Sequence, residues 1–160
     1  MAEMNVTSAN KAVLTIGDSA PNAVPGAAAG MVIPLVQDIT VSAAPGTVRY
    51  SVLSSASSSA FTTVNENSIS LNMLVDELFM FGDSTKSNQV HVDGLFKTSA
   101  DKTEVFFSVS FNGAAGTTGE IYVSGKGFIG GLAPSAAVDA AVWLSPMEII
   151  VNGELAKTET

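Results

Sequence analysis

The sequence predicts an all-β domain, a sandwich or barrel of about nine short strands with one short helix. Apolar and polar side chains alternate with a period of two along most of the chain, which is typical of strands with one buried face. Turn-forming residues separate the alternating runs at short intervals. With 160 residues, of which 46% are hydrophobic, residues 1–160 are expected to form a single domain around one core.

The N-terminal part of the chain is predicted to contain short strands separated by loops. Strands are predicted at 12–16, 32–41 and 47–53, the last two joined by a Pro-Gly turn at 44–46. Extended loops are predicted near 17–31, which is rich in Ala and Pro, and near 54–67, which is rich in Ser. Neither loop contains enough large apolar side chains to form a packed element.

The run 68–75 is predicted to be a strand with one buried and one solvated face, because large apolar residues alternate there with small polar ones. The polar face consists of Ser68, Ser70 and Asn72. The run 76–82 breaks this alternation and predicts the single helix, since its apolar residues recur at helical spacing and Gly82 follows as a C-terminal cap.

The C-terminal half is predicted to consist of strands. They are expected at 89–96, 104–111, 120–124, 138–144 and 147–151, with a flexible tip at 113–119. In the strand 104–111 the side chains of Phe107, Val109 and Phe111 are expected to point into the core. The last two strands would form a terminal hairpin that turns at Ser145-Pro146.

The sequence contains few candidates for catalytic or metal-binding side chains. His91 is the only histidine, and its place in a predicted strand provides no partner for acid–base work. The chain has no cysteine, so thiolate metal sites and cysteine nucleophiles are excluded. The pairs Asp76/Glu77 and Asp101/Glu104 leave calcium as the one metal to consider, and the G-x-G-x-x-G match at 125–130 lacks the strand–turn–helix context of a nucleotide site. We therefore expect no catalysis, no cofactor and no metal.

The chain is acidic, with a net charge of −8. Its seven basic residues are scattered, so no patch for binding nucleic acid is visible. No apolar run approaches the length of a membrane-spanning helix, and residues 1–5 do not resemble a secretory leader. We expect a product made in the cytoplasm that does not contact membranes.

Residues 118–156 resemble the end of a phage tail tube (major tail) protein. In that family a strand closes on a G-x-G-hydrophobic motif, a loop of small residues follows, and the last strand finishes on hydrophobic-x-G-x-L. The corresponding positions here are Gly127, Phe128, Pro134, Val142, Gly153 and Leu155. Upstream, the order of a polar loop, the strand at 68–75 and a short helix also fits, so the resemblance spans about 30–156.

The resemblance implies a virion structural protein of the phage tail. Subunits of this family form hexameric rings that stack into a tube, contact other tail proteins and let DNA pass through the lumen. The implied lumen-facing residues are Ser68, Ser70 and Asn72, with Asp76 and Glu77 near the rim. The implied ring-stacking loop includes Ser54, Ser57, Phe61 and Asn65, and Trp143 is the candidate for a contact between subunits.

Two other functions are compatible with a small acidic β domain. A capsid decoration protein would assemble as trimers or monomers on a head lattice. A secreted adhesin or carbohydrate-binding module would work alone, although the absence of a leader and the scarcity of aromatic residues disfavour it.

Overall fold

The computed structural model describes residues 12–18, 31–33, 36–51, 57–111, 121–139 and 141–159. Within these ranges the chain is all-β and sandwich-like, as predicted, with eight strands and two helices. The strands are β1 (Val13–Gly17), β2 (Met31–Val32), β3 (Val36–Tyr50), β4 (Ser59–Leu74), β5 (Glu104–Ser110), β6 (Ile121–Gly130), β7 (Leu144–Val151) and β8 (Ala156–Glu159). The helices are α1 (Glu77–Phe81) and α2 (Gln89–Ala100). The predictions for 19–30, for Ser54 and for the tip at 113–119 lie outside the described residues.

The strands form one antiparallel sheet in the order β2-β1-β5-β6-β7-β4-β3. β6 changes partner along its length: residues 121–124 pair with β8, whereas residues 127–130 pair with β7. β2 and β3 lie at the two ends of the order and do not pair with each other, so the described strands do not close into a barrel. Neither of the helices in the described ranges is long and apolar enough to span a membrane.

The core confirms the predicted strand faces. Phe107 and Val109 of β5 are fully buried, and Phe111 packs against the same cluster. The apolar face of β4 is buried as well, while the residues between are more exposed. The central strand β5 is covered on both faces, since Ser108 is also fully buried, and this is why its polar residues are small.

The predicted turn at 44–46 and the predicted loop near 54–67 are wrong for the described residues. β3 continues through Pro45 with only a register shift between Pro45 and Thr47, and β4 begins at Ser59. An edge strand tolerates Pro because one row of its backbone groups needs no partner. The Ser-rich residues are followed by Phe, Thr and Val at 61–64, which are residue types that favour strands. This run is consistent with the long pairing of β4 to β3.

The predicted strand at 89–96 is also wrong, because this segment lies in helix α2. The Asn88 side chain caps the helix by accepting a hydrogen bond from the backbone N–H of Val90 (3.1 Å). Val90 and Leu95 are buried, whereas His91 is only partly buried and its ring lies 5.0 Å from that of Phe79. The alternation in this run is too short to distinguish a strand from a helix.

The predicted helix at 76–82 is confirmed as α1. Asp76 caps its N-terminus, and Met80 is its buried residue. Gly82 ends it with a φ of 108°, a conformation that residues with a Cβ rarely adopt.

The predicted terminal hairpin at 138–151 is wrong in its first half. Residues 138–143 form no strand among the described residues, and β7 runs through Pro146 instead of turning there. Pairing with β6 begins only at Glu148, so β7 has a neighbour on one side at Pro146, where a missing N–H is tolerated. β6 likewise continues through Gly125–Gly130, beyond the predicted strand at 120–124, and β8 is a strand that the sequence pattern did not predict.

Two glycines fix α1 against α2. Gly94 lies within α2 with a φ of 77°, which kinks the helix. A methyl group added there would lie 2.5 Å from the backbone nitrogen of Gly82 and 2.7 Å from the carbonyl oxygen of Met80. The two helices therefore approach closely only because both positions lack a side chain.

We expect Gly94→Ala to lower the free energy of unfolding by about 2–4 kcal/mol, since it combines backbone strain with overpacking against main-chain atoms. Gly153→Ala is the matched control, because Gly153 also has a positive φ (107°) but has no atom within 4 Å of an added methyl group. The free energy of unfolding of the control should fall by only about 1 kcal/mol, because the control adds backbone strain alone. Urea unfolding of both variants measures the difference, and equal losses would mean that the helices do not pack as closely as described.

Candidate assembly surfaces

The β3–β4 hairpin extends well beyond the rest of the sheet. β7 pairs with β4 only from Ser68 to Leu74, whereas β4 itself begins at Ser59. The outer half of the hairpin, residues 43–50 and 59–67, is called the arm below, and it has no third strand among the described residues. A two-stranded ribbon is marginally stable in water unless something packs on it.

One face of the arm is apolar. Val48 lies directly opposite Phe61 in the register, and Tyr50 lies two residues further along the same face. The rings of Tyr50 and Phe61 are 6.1 Å apart. All three side chains are about half exposed, at 43%, 51% and 53% for Val48, Tyr50 and Phe61. The opposite face carries Arg49, so the arm presents an amphipathic ribbon to its surroundings.

The sequence-predicted stacking residues fall on or near this arm. Phe61 belongs to its apolar face, and Asn65 lies in β4 opposite Pro45. Ser57 is exposed just before β4 begins, and Ser54 lies outside the described residues. The segment is thus a strand and not a loop in the part that the structure describes. Its role in stacking stays a prediction.

The polar face of β4 is exposed across three strands. Ser70 lies between Thr40 of β3 and Glu148 of β7 in the register, and Ser68 lies between Ser42 and Ile150. Ser70 and Asn72 are exposed, and Ser68 is half-buried. Ile150 and its register partner Phe128 are exposed as well, so the surface combines small polar side chains with two large apolar ones.

This polar face also carries more acids than bases. The Asn72 side-chain amide donates to both carboxylate oxygens of Asp38 (3.1 and 2.9 Å) and so holds that carboxylate on the face. Glu148 is a second exposed acid beside Ser70. Further along the same side of the sheet, the ammonium of Lys126 lies 3.5 Å from the carboxylate of Glu104 and is partly neutralised by it.

Asp76 and Glu77 lie at the end of β4 and not on its polar face. The carboxylate of Asp76 accepts hydrogen bonds from the backbone N–H groups of Leu78 (3.0 Å) and Phe79 (3.3 Å). Its position is therefore explained by capping. Glu77 is exposed in the first turn of α1, where its charge favours the helix dipole.

A second apolar surface lies on the helices. Leu78 and Phe81 are one helical turn apart on α1, and the Phe81 ring lies 6.1 Å from that of Phe96 on α2. We call these three residues the helical patch; their exposed fractions are 53%, 62% and 50%. Glu77 precedes Phe81 by four residues and so lies on the same side of α1.

Acids surround the helical patch. The segment 76–101 has five acidic residues against two lysines. Lys97 donates to Asp93 (2.8 Å), which lowers the pKa of that carboxyl and raises the pKa of the lysine. The Thr85 hydroxyl and backbone N–H both donate to Asp83 and lower the pKa of Asp83. These carboxylates are consequently ionised at neutral pH.

Trp143 lies at the same end of the sheet as the helical patch. Its carbonyl oxygen accepts a hydrogen bond from the N–H of Val75 (2.9 Å), at the point where β4 leads into α1. The side chain is 56% exposed, and its neighbours Val142 and Leu144 are also exposed. A contact to another subunit through Trp143 stays a prediction.

The arm and the helical patch therefore lie at opposite ends of β4. The arm contains its first residues, and the helical patch follows its last. β4 has 16 residues, and a strand of that length spans about 50 Å.

No protein-family model matches the chain, and no curated protein sequence matches it. Solved structures do match. The tail of an empty gene transfer agent (GTA) particle, refined helically with C6 symmetry, has a TM-score of 0.62 and 14% identity, covering 96% of this chain and 99% of that one. The virion of the native GTA particle gives a TM-score of 0.63 with the same identity and coverage. The SPP1 tail tube has a TM-score of 0.66 and 11% identity, covering 97% of this chain and 80% of that one.

The chain has the tail tube fold. The resemblance seen in the sequence is thereby confirmed at the level of the fold. At 11–14% identity these proteins differ from this chain in most of their residues, so the likeness concerns the fold alone.

Proposed function

We propose that this protein is a non-catalytic structural component of a virion, and that it assembles as hexameric rings stacked into a phage-type tail tube. The observation that carries the proposal is the tail tube fold along 96% of the chain, shared with a tail of C6 symmetry. Its partners are then copies of itself and other tail proteins.

The free strand edges support assembly through the sheet. β3 pairs only with β4 among the described strands, and its outer edge is long and nearly continuous. Such an edge is an aggregation hazard in a monomer unless another strand or chain covers it. In a ring of copies, each edge is covered by a neighbour and the hazard disappears.

The polar face supports the role of a channel wall. The apolar side of β4 is buried in the core, so Ser68, Ser70 and Asn72 are left to line the lumen. Small neutral groups with Asp38 and Glu148 give a hydrated, negative wall. DNA is repelled by such a wall and is not held by counterion release. Asp76 and Glu77 would lie near the rim, since they follow the end of this strand.

Negative-stain microscopy of the purified protein tests the proposal. Hollow rods or six-fold rings support a tail tube. Isolated trimers would support a capsid decoration protein, and a strict monomer that binds glycans would support a carbohydrate-binding module. Either result would overturn the proposal.

Positive charge on the polar face should hold DNA in the tube. We expect the Ser68→Lys/Ser70→Lys variant to assemble normally, because Ser70 is exposed and Ser68 borders solvent. Asn72 is kept because it holds Asp38. About twelve added charges per hexameric ring should slow DNA release from particles on the order of tenfold or more.

The control for this variant adds the same charge elsewhere. Thr103→Lys/Ala136→Lys substitutes two exposed residues that do not belong to the polar face of β4. Release rates should equal those of the parent particle. If both double variants release DNA at the parental rate, the polar face of β4 does not line the channel.

A further inference from the structure

The crossover between β7 and β8 carries a cluster of reactive groups that the proposed function does not use. β7 pairs with β6 up to Val151, and β8 pairs with β6 again from Ala156, so residues 152–155 cross β6 outside either ladder. Asn152 and Gly153 open this crossover, and both are exposed. An open cavity of about 280 Å³ lies beside them, so water reaches both residues.

Asn152 fastens the crossover to the sheet. Its backbone N–H donates to the carbonyl oxygen of Lys126 on β6 (2.8 Å), and its side-chain amide donates to the carboxylate of Glu104 on β5 (2.7 Å). The second bond is short, as expected for a charged acceptor. The side chain of Asn152 is thus one of the anchors of the crossover from which β8 continues.

Gly153 places a nucleophile next to that side-chain amide. Within the residues that the structure describes, the backbone N–H of Gly153 donates to no acceptor. No atom of these residues lies within 4 Å of the position that a Cβ would occupy there, so neighbouring side chains do not crowd the peptide group. Attack by this nitrogen on Cγ of Asn152 closes a five-membered ring. The reaction is intramolecular, which greatly raises its rate.

We propose that Asn152 converts spontaneously to isoaspartate and aspartate, and that this conversion releases β8. The peptide nitrogen of Gly153 loses its proton to hydroxide and forms a bond to Cγ of Asn152. The bond from Cγ to the side-chain nitrogen breaks, and that nitrogen takes a proton from water and leaves as ammonia. Water then opens the cyclic imide at either carbonyl. The net reaction consumes one water, releases one ammonia and leaves a carboxylate in place of the amide.

The amine of Lys126 is the competing nucleophile. It lies 3.5 Å from the same carboxylate of Glu104 that holds Asn152, and its attack on Asn152 would give an isopeptide crosslink and ammonia. A lysine amine attacks only in its neutral form, which is rare at neutral pH for a lysine that is exposed to water. The side chain of Lys126 is 49% exposed. The structure therefore favours Gly153 as the nucleophile.

The product loses the anchor to β5. A carboxylate at position 152 has no proton to donate to Glu104, and two carboxylates at this distance repel each other. Isoaspartate also adds one carbon to the main chain, which shifts the crossover relative to β6. β8 forms only four register pairs, and among the described strands all of them are with β6. We therefore expect β8 to detach while the longer strands stay paired. This inference does not depend on the proposed function.

Ageing of the purified full-length chain tests the reaction. Trypsin releases residues 127–157 as one peptide, in which Asn152 is the only amide side chain. On incubation at neutral pH this peptide should gain about 1 Da and separate into two isomers, severalfold faster at alkaline pH, because hydroxide removes the proton. Asn152→Gln is the matched control. It keeps an amide at this position but cannot close a five-membered ring, so its peptide should keep its mass.

Two results of the ageing experiment would overturn the reaction. Incubation lasts until the same peptide is mostly converted in a urea-unfolded sample. An unchanged peptide from the folded chain at that time would mean that the fold protects Asn152. A peptide 103–157 that is uncut at Lys126 and lacks the mass of one ammonia would make Lys126 the nucleophile.

Hydrogen exchange tests the release of β8. Asn152→Asp imitates the charge of the product and should speed exchange of the amides of 156–159 by about tenfold or more, while the amides of β5 stay protected. In Asn152→Asp/Glu104→Gln the new amide at 104 donates to the new carboxylate at 152, so protection should return. If Asn152→Asp alone leaves exchange at 156–159 unchanged, Asn152 does not anchor β8.

Discussion

Phe107→Ala is expected to lower the free energy of unfolding by about 3–5 kcal/mol, the usual cost of removing a buried aromatic ring. The side chain is fully buried in the cluster that unites β1, β5 and the helices. Its ring fills the space over Gly125, where an added methyl group would lie 3.0 Å from the Cζ atom. Truncation therefore leaves a cavity that neighbouring strands cannot close. Urea unfolding followed by circular dichroism measures the loss.

The adjacent residue provides the control for this substitution. Phe106 alternates to the other face of β5 and is only partly buried. Phe106→Ala should lower the free energy of unfolding by distinctly less than Phe107→Ala, because part of the Phe106 ring is already hydrated. An equal loss in the two variants would mean that the faces of β5 are wrongly assigned.

Tyr50→Ser/Phe61→Ser is expected to abolish tube formation at concentrations where the parent assembles fully. Both rings are half exposed in the subunit, so their removal should change the melting temperature little. In the proposed tube the arm stacks on the next ring and buries them, and each buried aromatic side chain contributes about 1.5–3 kcal/mol. Losing both raises the assembly concentration by about 100-fold or more. Sedimentation velocity over a concentration series measures that shift.

The opposite face of the arm provides the matched control. Thr47 and Thr62 are a register pair that does not belong to the apolar face. Thr47→Ser/Thr62→Ser should assemble like the parent protein, because it keeps the hydroxyls and removes only two methyl groups. Tubes from the Tyr50/Phe61 variant at parental concentration would show that the arm's apolar face makes no contact between subunits.

The fold class and the strand faces could be predicted because alternation reports burial directly. In 68–73 apolar residues alternate with small polar ones, and in 104–111 positions 105, 107, 109 and 111 are all apolar; those faces are found in the structure as expected. The helix α1 could be predicted because its cap residues, Asp76 and Gly82, are local signals. In these segments local sequence and tertiary packing favour the same structure.

The errors arose where tertiary context overrides local composition. Pro45 and Pro146 are typical turn residues, but each lies where its strand has a free side. The Ser-rich run before Phe61 has the composition of a loop, because the strand that pairs with it, β3, lies across a hairpin and leaves no local signal. In α2 the kink at Gly94 interrupts the helical period, so Val90 and Val92 mimic the alternation of a strand.

The candidate assembly surfaces could be predicted only in part from the sequence. The polar face of β4 follows from alternation alone. The helical patch does not, since Phe96 was assigned to a strand and its contact with Phe81 requires the packing of two helices. The distance between the arm and the helical patch also depends on β4 being one long strand and not a loop followed by a short strand.

Cryo-electron microscopy of the particles formed by the purified full-length chain tests the account most directly. We expect a hollow tube with six copies per ring, with Ser68, Ser70 and Asn72 facing the bore and the arm contacting the next ring. Closed trimers, a solid filament, or a tube with that face of β4 on its outer surface would contradict it.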